Sequence, residues 1–374
     1  MRSANEPDVD AYDRVTRKLG YPASRNLRNL VEAAFSEEEA AVFLELPASP
    51  EEIVAKRDSN TSSVIAHLDR MAAAGIVRRI RKPDGQVTYR PEYMIEPLCD
   101  LMMYSLAPYW NEETQTIGGE EKNRRIADLW NRFFEEEWYR FARTDELIHR
   151  RVEMLGGALA GMTFTVTPAW KALEKCNAEA PPDPNFDLRH VVQQVKASGK
   201  KIAAAPCSCK VRARKSAAPI WTCGSFHEDF MPRHWVDHPR QIYKLWDPDE
   251  WLEMMGRCEE EFGLVHVGLP PHLYDVCTCD TECCNIFTPL KRHAHCYEGV
   301  EKSPYRSVID EKVCEGCPDC IARCRFEATM IKKDPASGKH VASINLERCV
   351  GCGQCVLGCK IDGAIKLELA SNIE

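Results

Sequence analysis

"CEGCPDCIARC", Cys314 to Cys324, places cysteines at steps of three, three and four. The same rhythm returns from Cys349 to Cys359 as "CVGCGQCVLGC". A CxxCxxC run curls the backbone so that three thiolates wrap one side of a small inorganic cube, and a fourth thiolate must come from elsewhere. Zinc also accepts CxxC pairs, but zinc sites seldom use three cysteines in one unbroken run and seldom repeat it. Each run is followed by a short apolar stretch, "ATMIKK" or "AIKLEL", that reads as a strand, and "KKDPASGKH" between them reads as an extended hairpin.

Residues 305–370 closely resemble bacterial-type ferredoxins with two [4Fe-4S] clusters. In that arrangement the last cysteine of each run ligates the opposite cluster. The resemblance implies one cluster on Cys314, Cys317, Cys320 and Cys359, and a second on Cys349, Cys352, Cys355 and Cys324. Every iron would then be fully coordinated, so the domain is expected to relay electrons and not to catalyse. The usual proline after each fourth cysteine is replaced by Arg325 and Lys360. A cation beside a cluster stabilises its more negative, reduced form and raises its potential.

The chain has 374 residues, 19 cysteines and a net charge of −8, with 44% hydrophobic and 28% charged residues. That balance is expected of a globular protein with two to four domains. It argues against wholesale nucleic-acid coating while leaving room for a local basic patch. No apolar run approaches the ~20 residues of a membrane span. The opening "MRSANEPDVDAYDRV" shows no signal-peptide pattern, so a cytoplasmic location and metal-bound cysteines are expected in place of a disulfide framework.

Cysteine density divides the chain. Only Cys99 and Cys176 precede Cys207. Between Cys207 and the ferredoxin-like region lie "PCSCKVR" (Cys207, Cys209), "WTCGSF" (Cys223) and "DVCTCDTECCNIF" (Cys277, Cys279, Cys283, Cys284). These seven are expected to contribute ligands to a third iron–sulfur cluster, with zinc as the alternative, and Cys296 is an eighth candidate. The order of these motifs is similar to a cysteine-rich segment beside ferredoxin modules in iron–sulfur proteins of anaerobic bacteria. His227, His234, His238, His293 and His295 are read as solvated or hydrogen-bonded, not as ligands. There is no GxGxxG, P-loop or HExxH motif, a motif-free flavin site stays open, and no catalytic pair stands out.

The N-terminal part contains "SEEEAAVFLEL", "SPEEIVAKRD" with a capping box, and "NTSSVIAHLDRMAAAG", all helical in pattern. "IVRRIRKPDGQVTYRP" reads as a basic hairpin. Over residues 25–93 this order resembles the winged helix-turn-helix domains of the MarR and ArsR regulators. The resemblance implies a third helix offering Asn60, Thr61, Ser62, His67 and Arg70 to DNA, and a wing offering Arg78, Arg79, Arg81, Lys82 and Arg90 to phosphates. The acidic Glu37, Glu38, Glu39, Glu51 and Glu52 oppose that use, and favour a module for protein interaction or homodimerisation through the N-terminal half.

The expected architecture is multidomain α+β: tail and winged helix (1–93), a helical connector (94–187) ending in the linker "EAPPDPNFD", a Cys-rich α/β domain (188–304), and a 2[4Fe-4S] ferredoxin domain (305–374). Two functions follow from it. One is a multi-cluster electron relay serving a partner oxidoreductase. The other is a redox-sensing regulator that binds DNA.

Overall fold

Ser36 and Glu39 satisfy each other's backbone: the Glu39 carboxylate accepts the Ser36 N–H at 2.7 Å, and the Ser36 hydroxyl accepts the Glu39 N–H at 3.2 Å. This starts the Glu37–Glu45 helix. Ser49 and Glu52 repeat the exchange at 2.8 and 3.2 Å and start Pro50–Arg57. Asn60 caps Thr61–Ala73 by accepting the Ser63 N–H at 2.7 Å. In each case a short polar side chain takes up an N–H that the first helical turn leaves without a partner. Val77–Arg81 then pairs antiparallel with Val87–Pro91.

These elements come from a computed structural model, which describes residues 9–57, 59–141, 164–268, 276–292, 300–335 and 338–372. Its fold mixes helix and sheet, and its residues group into two compact units.

The first unit comprises residues 1–142, 206–214 and 231–243. Leu27, Val31, Phe43, Leu68 and Met71 are buried among its helices. Glu121–Phe133 presents an aromatic face: Trp130, Phe133, Phe134 and Trp138 are buried, and Tyr21 meets Phe133 edge-on at 5.3 Å. These rings serve packing, as their helical spacing suggests. The side chain of Phe141 lies outside the described residues.

The second unit comprises residues 143–205, 215–230 and 244–374. Seven of its strands form one sheet in the order Val300–Glu301, Phe164–Thr167, Val265–Gly268, Val276–Cys279, Cys223–His227, Ile202–Ala205, Lys244–Trp246. The Val300–Glu301 pairing is parallel and the rest are antiparallel. The terminal part adds two antiparallel ribbons: Tyr305–Ile309 with Ile365–Leu369, and Thr329–Lys333 with His340–Ile344. The strands and hairpin read from "ATMIKK", "AIKLEL" and "KKDPASGKH" are therefore present. In the proline-rich stretch before them, Pro184–Phe186 forms a 3₁₀ turn, and Asp187 caps the Leu188–Ala197 helix.

No helix among the described residues is long and apolar enough to cross a membrane. All described cysteines are free thiols.

Candidate metal centre

Gly316 and Gly351 hold the same place in the two runs, two residues after the first cysteine. Both have left-handed backbone, with φ of +69° and +72°. A Cβ on Gly316 would lie 2.2 Å from the His340 carbonyl oxygen, and one on Gly351 would lie 2.0 Å from that of Tyr305. Only glycine lets each loop turn this tightly against a strand. Each run then enters a short helix, Asp319–Arg323 or Gln354–Gly358.

Sulfurs gather within these turns. Burial pushes the Cys320 thiol up to about 11, and the nearby Cys317, Cys359 and Cys314 add to the shift. Burial pushes Cys352 up to about 12 against a favourable Gln354 N–H, with Cys324 and Cys349 adding. Cys355 is raised by burial, opposed by the Ser307 hydroxyl 3.0 Å from its sulfur, and raised further by Cys352, Cys349 and Cys324. Cys359 of the second run thus acts on Cys320 of the first, and Cys324 of the first acts on Cys352 and Cys355 of the second. N–H donors face these sulfurs: Ala342 and Gly316 reach Cys314 Sγ at 3.3 and 3.4 Å, and Ala328 reaches Cys324 Sγ at 3.2 Å.

Such buried, crowded thiols cannot all ionise in the absence of cations. The N–H donors and the thiolate-rich set fit a thiolate-held iron–sulfur group. Among the described residues no three histidine, cysteine or carboxylate groups converge as a single metal ion requires.

The second run is held from behind. Glu259 and His266, both fully buried, meet at 2.6 Å. The Glu259 carboxylate also accepts the Trp170 and Lys171 N–H groups at 3.0 and 2.9 Å, anchoring the start of the Trp170–Lys175 helix. Burial raises the Glu259 pKa, while His266 and these N–H groups oppose the rise. At the other end of that helix, Lys175 donates to the carbonyls of Val356 and Cys359 at 2.9 and 2.7 Å. Gln354 donates to the Leu264 carbonyl at 2.7 Å.

Arg325 and Lys360 have protein partners. Arg325 donates to the Phe262 carbonyl at 3.3 Å, and Lys360 pairs with Asp319 at 3.1 Å. Arg323, which sequence reasoning passed over, donates to the carbonyls of Glu259 and Glu260 at 2.5 and 3.0 Å. Two arginines thus hold the C-terminal carbonyls of the Pro248–Phe262 helix, where cations are favoured.

The upstream cysteines divide between the units. Cys207 and Cys209 lie at the start of the Ser208–Ala213 helix in the first unit. Cys223, Cys277, Cys279, Cys283 and Cys284 lie in the second. Cys223 and Cys277 sulfurs are 3.6 Å apart, and the neighbouring Cys277 and Cys284, with burial, raise the Cys279 pKa. Cys283 donates to the Asp280 carbonyl at 3.6 Å. Cys258 is fully buried beside Ala218 and Leu264, a packing position that no motif marked. Cys296, His293 and His295 lie outside the described residues.

The histidines that are described have hydrogen-bond or burial roles. His227 contacts Ser198 at 3.1 Å. His238 contacts Ser105 at 3.2 Å and accepts the Arg240 N–H at 3.0 Å. Burial lowers the pKa of His234 to about 3 and of His238 to about 4.

In the N-terminal hairpin, Arg78 pairs with Glu92, and Arg79 with Asp69 at 3.4 Å. On the preceding helix, His67 meets Glu38 at 3.2 Å and Arg70 meets Glu39 at 2.5 Å. Asn60 is occupied as a cap.

The family model of the 4Fe-4S dicluster domain matches residues 313–362. No curated protein and no solved structure matches the chain. The C-terminal region is a ferredoxin-type, 4Fe-4S-binding domain.

Proposed function

We propose that this protein relays single electrons to or from a partner oxidoreductase through two [4Fe-4S] clusters. Cys314, Cys317, Cys320 and Cys359 would hold one, and Cys349, Cys352, Cys355 and Cys324 the other. The observation that supports this reading is the match of residues 313–362 to the 4Fe-4S dicluster domain, together with the action of Cys359 on Cys320 and of Cys324 on Cys352 and Cys355. When bound, each cluster supplies a one-electron site with no coordination position for substrate. The chain's own contribution is to exclude water with Tyr305, Val356 and Leu367, all buried, and to direct N–H groups at the sulfurs.

The engagement of wing and helix cations supports the relay over the DNA-binding regulator. Arg78, Arg79, His67 and Arg70 would have to give up carboxylate partners before meeting phosphates.

Cys324→Ser tests the ligand exchange. In anaerobically purified protein it should remove about four irons, those of the cluster built on the other run. Retention of all iron, or loss confined to the cluster on Cys314, Cys317 and Cys320, would overturn the reading.

A further inference from the structure

The two halves of the terminal domain follow one plan. Tyr305–Ile309 leads into the first cysteine run, and His340–Ile344 leads into the second. Each loop packs on the strand that precedes the other run, Gly316 against the His340 carbonyl and Gly351 against that of Tyr305. Tyr305 and His340 both open their strands, so the third residues, Ser307 and Ala342, are counterparts. Both are buried, at 2% and 1% exposed.

The counterparts differ by one oxygen. Ala342 packs in one core with Cys314 and Cys320, and its N–H reaches Cys314 Sγ at 3.3 Å. Its methyl group has no proton to donate. The Ser307 hydroxyl lies 3.0 Å from Cys355 Sγ. Packing does not call for that oxygen, because an alanine fills the matching place in the other half. A metal-bound cysteine is a thiolate and can only accept. With Cys355 as a ligand, the hydroxyl is therefore the donor.

A donor aimed at a ligand sulfur favours the redox state that carries more negative charge, which is the reduced one. We propose that the Ser307 hydroxyl raises the reduction potential of the cluster on Cys349, Cys352, Cys355 and Cys324. Ala342 gives the cluster on the first run no such side-chain donor. One electron enters on reduction, no bond forms or breaks, and Ser307 keeps its proton. Ser307 is a positioning residue that acts through Cys355. The inference rests on the two-cluster reading above and adds a direction to it: the hydroxyl draws the electron toward the run that packs against the sheet.

The test uses the full chain, purified without oxygen, with iron counted and reduction followed by EPR against potential. Wild type should carry about eight irons and reduce in two one-electron steps. Ser307→Ala should keep its iron while one step shifts about tenfold toward the oxidised form, about 59 mV to the negative. The other step should stay. Ala342→Ser should move that other step in the positive direction, a gain that loss of packing cannot imitate. Full iron with neither step moved in Ser307→Ala, a positive shift there, or equal shifts of both steps would each overturn the proposal. If Ser307→Ala does not load iron, Ala342→Ser decides, and unmoved potentials there overturn it. A wild-type count of about two metal ions would instead sink the two-cluster reading, so the two failures are told apart.

Discussion

The two cysteine runs share one spacing but not one environment. Around the first, Val313, Glu315, Pro318 and Ala322 are exposed. Around the second, Val350, Gly351, Gly353, Gln354 and Val356 are buried. The first run buries Cys314 and Cys320 but exposes Glu315 and Pro318 between them, while the second is mostly buried, against the sheet and the Trp170–Lys175 helix. Spacing determines which sulfurs can meet, and the residues between them determine how far each run is open to solvent. Under the proposed relay the outer run would be the side that meets a partner, and the inner run adjoins the sheet cysteines.

The largest test of this contrast concerns the two glycines. Gly351→Ala forces a Cβ into the buried Tyr305 carbonyl and should cost upwards of about 3 kcal/mol, with iron lost from both clusters. Gly316→Ala meets the His340 backbone carbonyl at the exposed end of the His340–Ile344 strand, and should cost about 2 kcal/mol and only the outer irons. Denaturant midpoints and iron analysis check both. Equal losses would erase the distinction.

Next in size is the buried support of the inner run. Glu259→Ala strands His266 and the Trp170 and Lys171 N–H groups, and should cost about 3–5 kcal/mol. Denaturation should show that loss, and iron release should be faster from the inner cluster than from the outer one.

In the wild-type protein the order should be the reverse. Ferricyanide should release about four irons first and the rest about tenfold more slowly, a ratio equivalent to roughly 1.4 kcal/mol of protection. Mass spectrometry after alkylation should find Cys317 labelled before Cys352. A single phase would break the inner–outer contrast.

The smallest effect is electrostatic. Glu315→Lys on the exposed run should alter the second-order rate with a charged redox acceptor about threefold, and added salt should remove the difference. Stability should be unchanged.

Local chemistry made part of this structure legible in advance. The Ser49–Glu52 exchange involves groups three residues apart, so the sequence exposes it directly, whereas Asn60, read as a residue offered to DNA, caps its helix. The 4Fe-4S dicluster domain was likewise signalled by the regular spacing of the two cysteine runs. The sheet was not legible, because its strands come from residues 164 to 301 in an order that no local pattern encodes. For the same reason the "CSC" pair could not be separated from Cys223 and Cys277 by inspection: residues 206–214 group with the N-terminal helices through contacts distant in sequence. Glu259 and His266 resembled an ordinary helix carboxylate and strand histidine until burial brought them together. Arg325 and Lys360 were visible as cations, but their pairing with the Phe262 carbonyl and Asp319 was not.

The Lys175 ammonium holds the carbonyl of Cys359, which lies 184 positions later in the chain. A ribosome adding about 5–20 residues per second makes the lysine roughly 10 to 40 s before the carbonyl it will hold. During that interval the nascent helix has no floor, and the inner compartment cannot close around a cofactor. Iron and sulfide can therefore be enclosed only after synthesis has passed Cys359, well after the Trp170–Lys175 helix has been made.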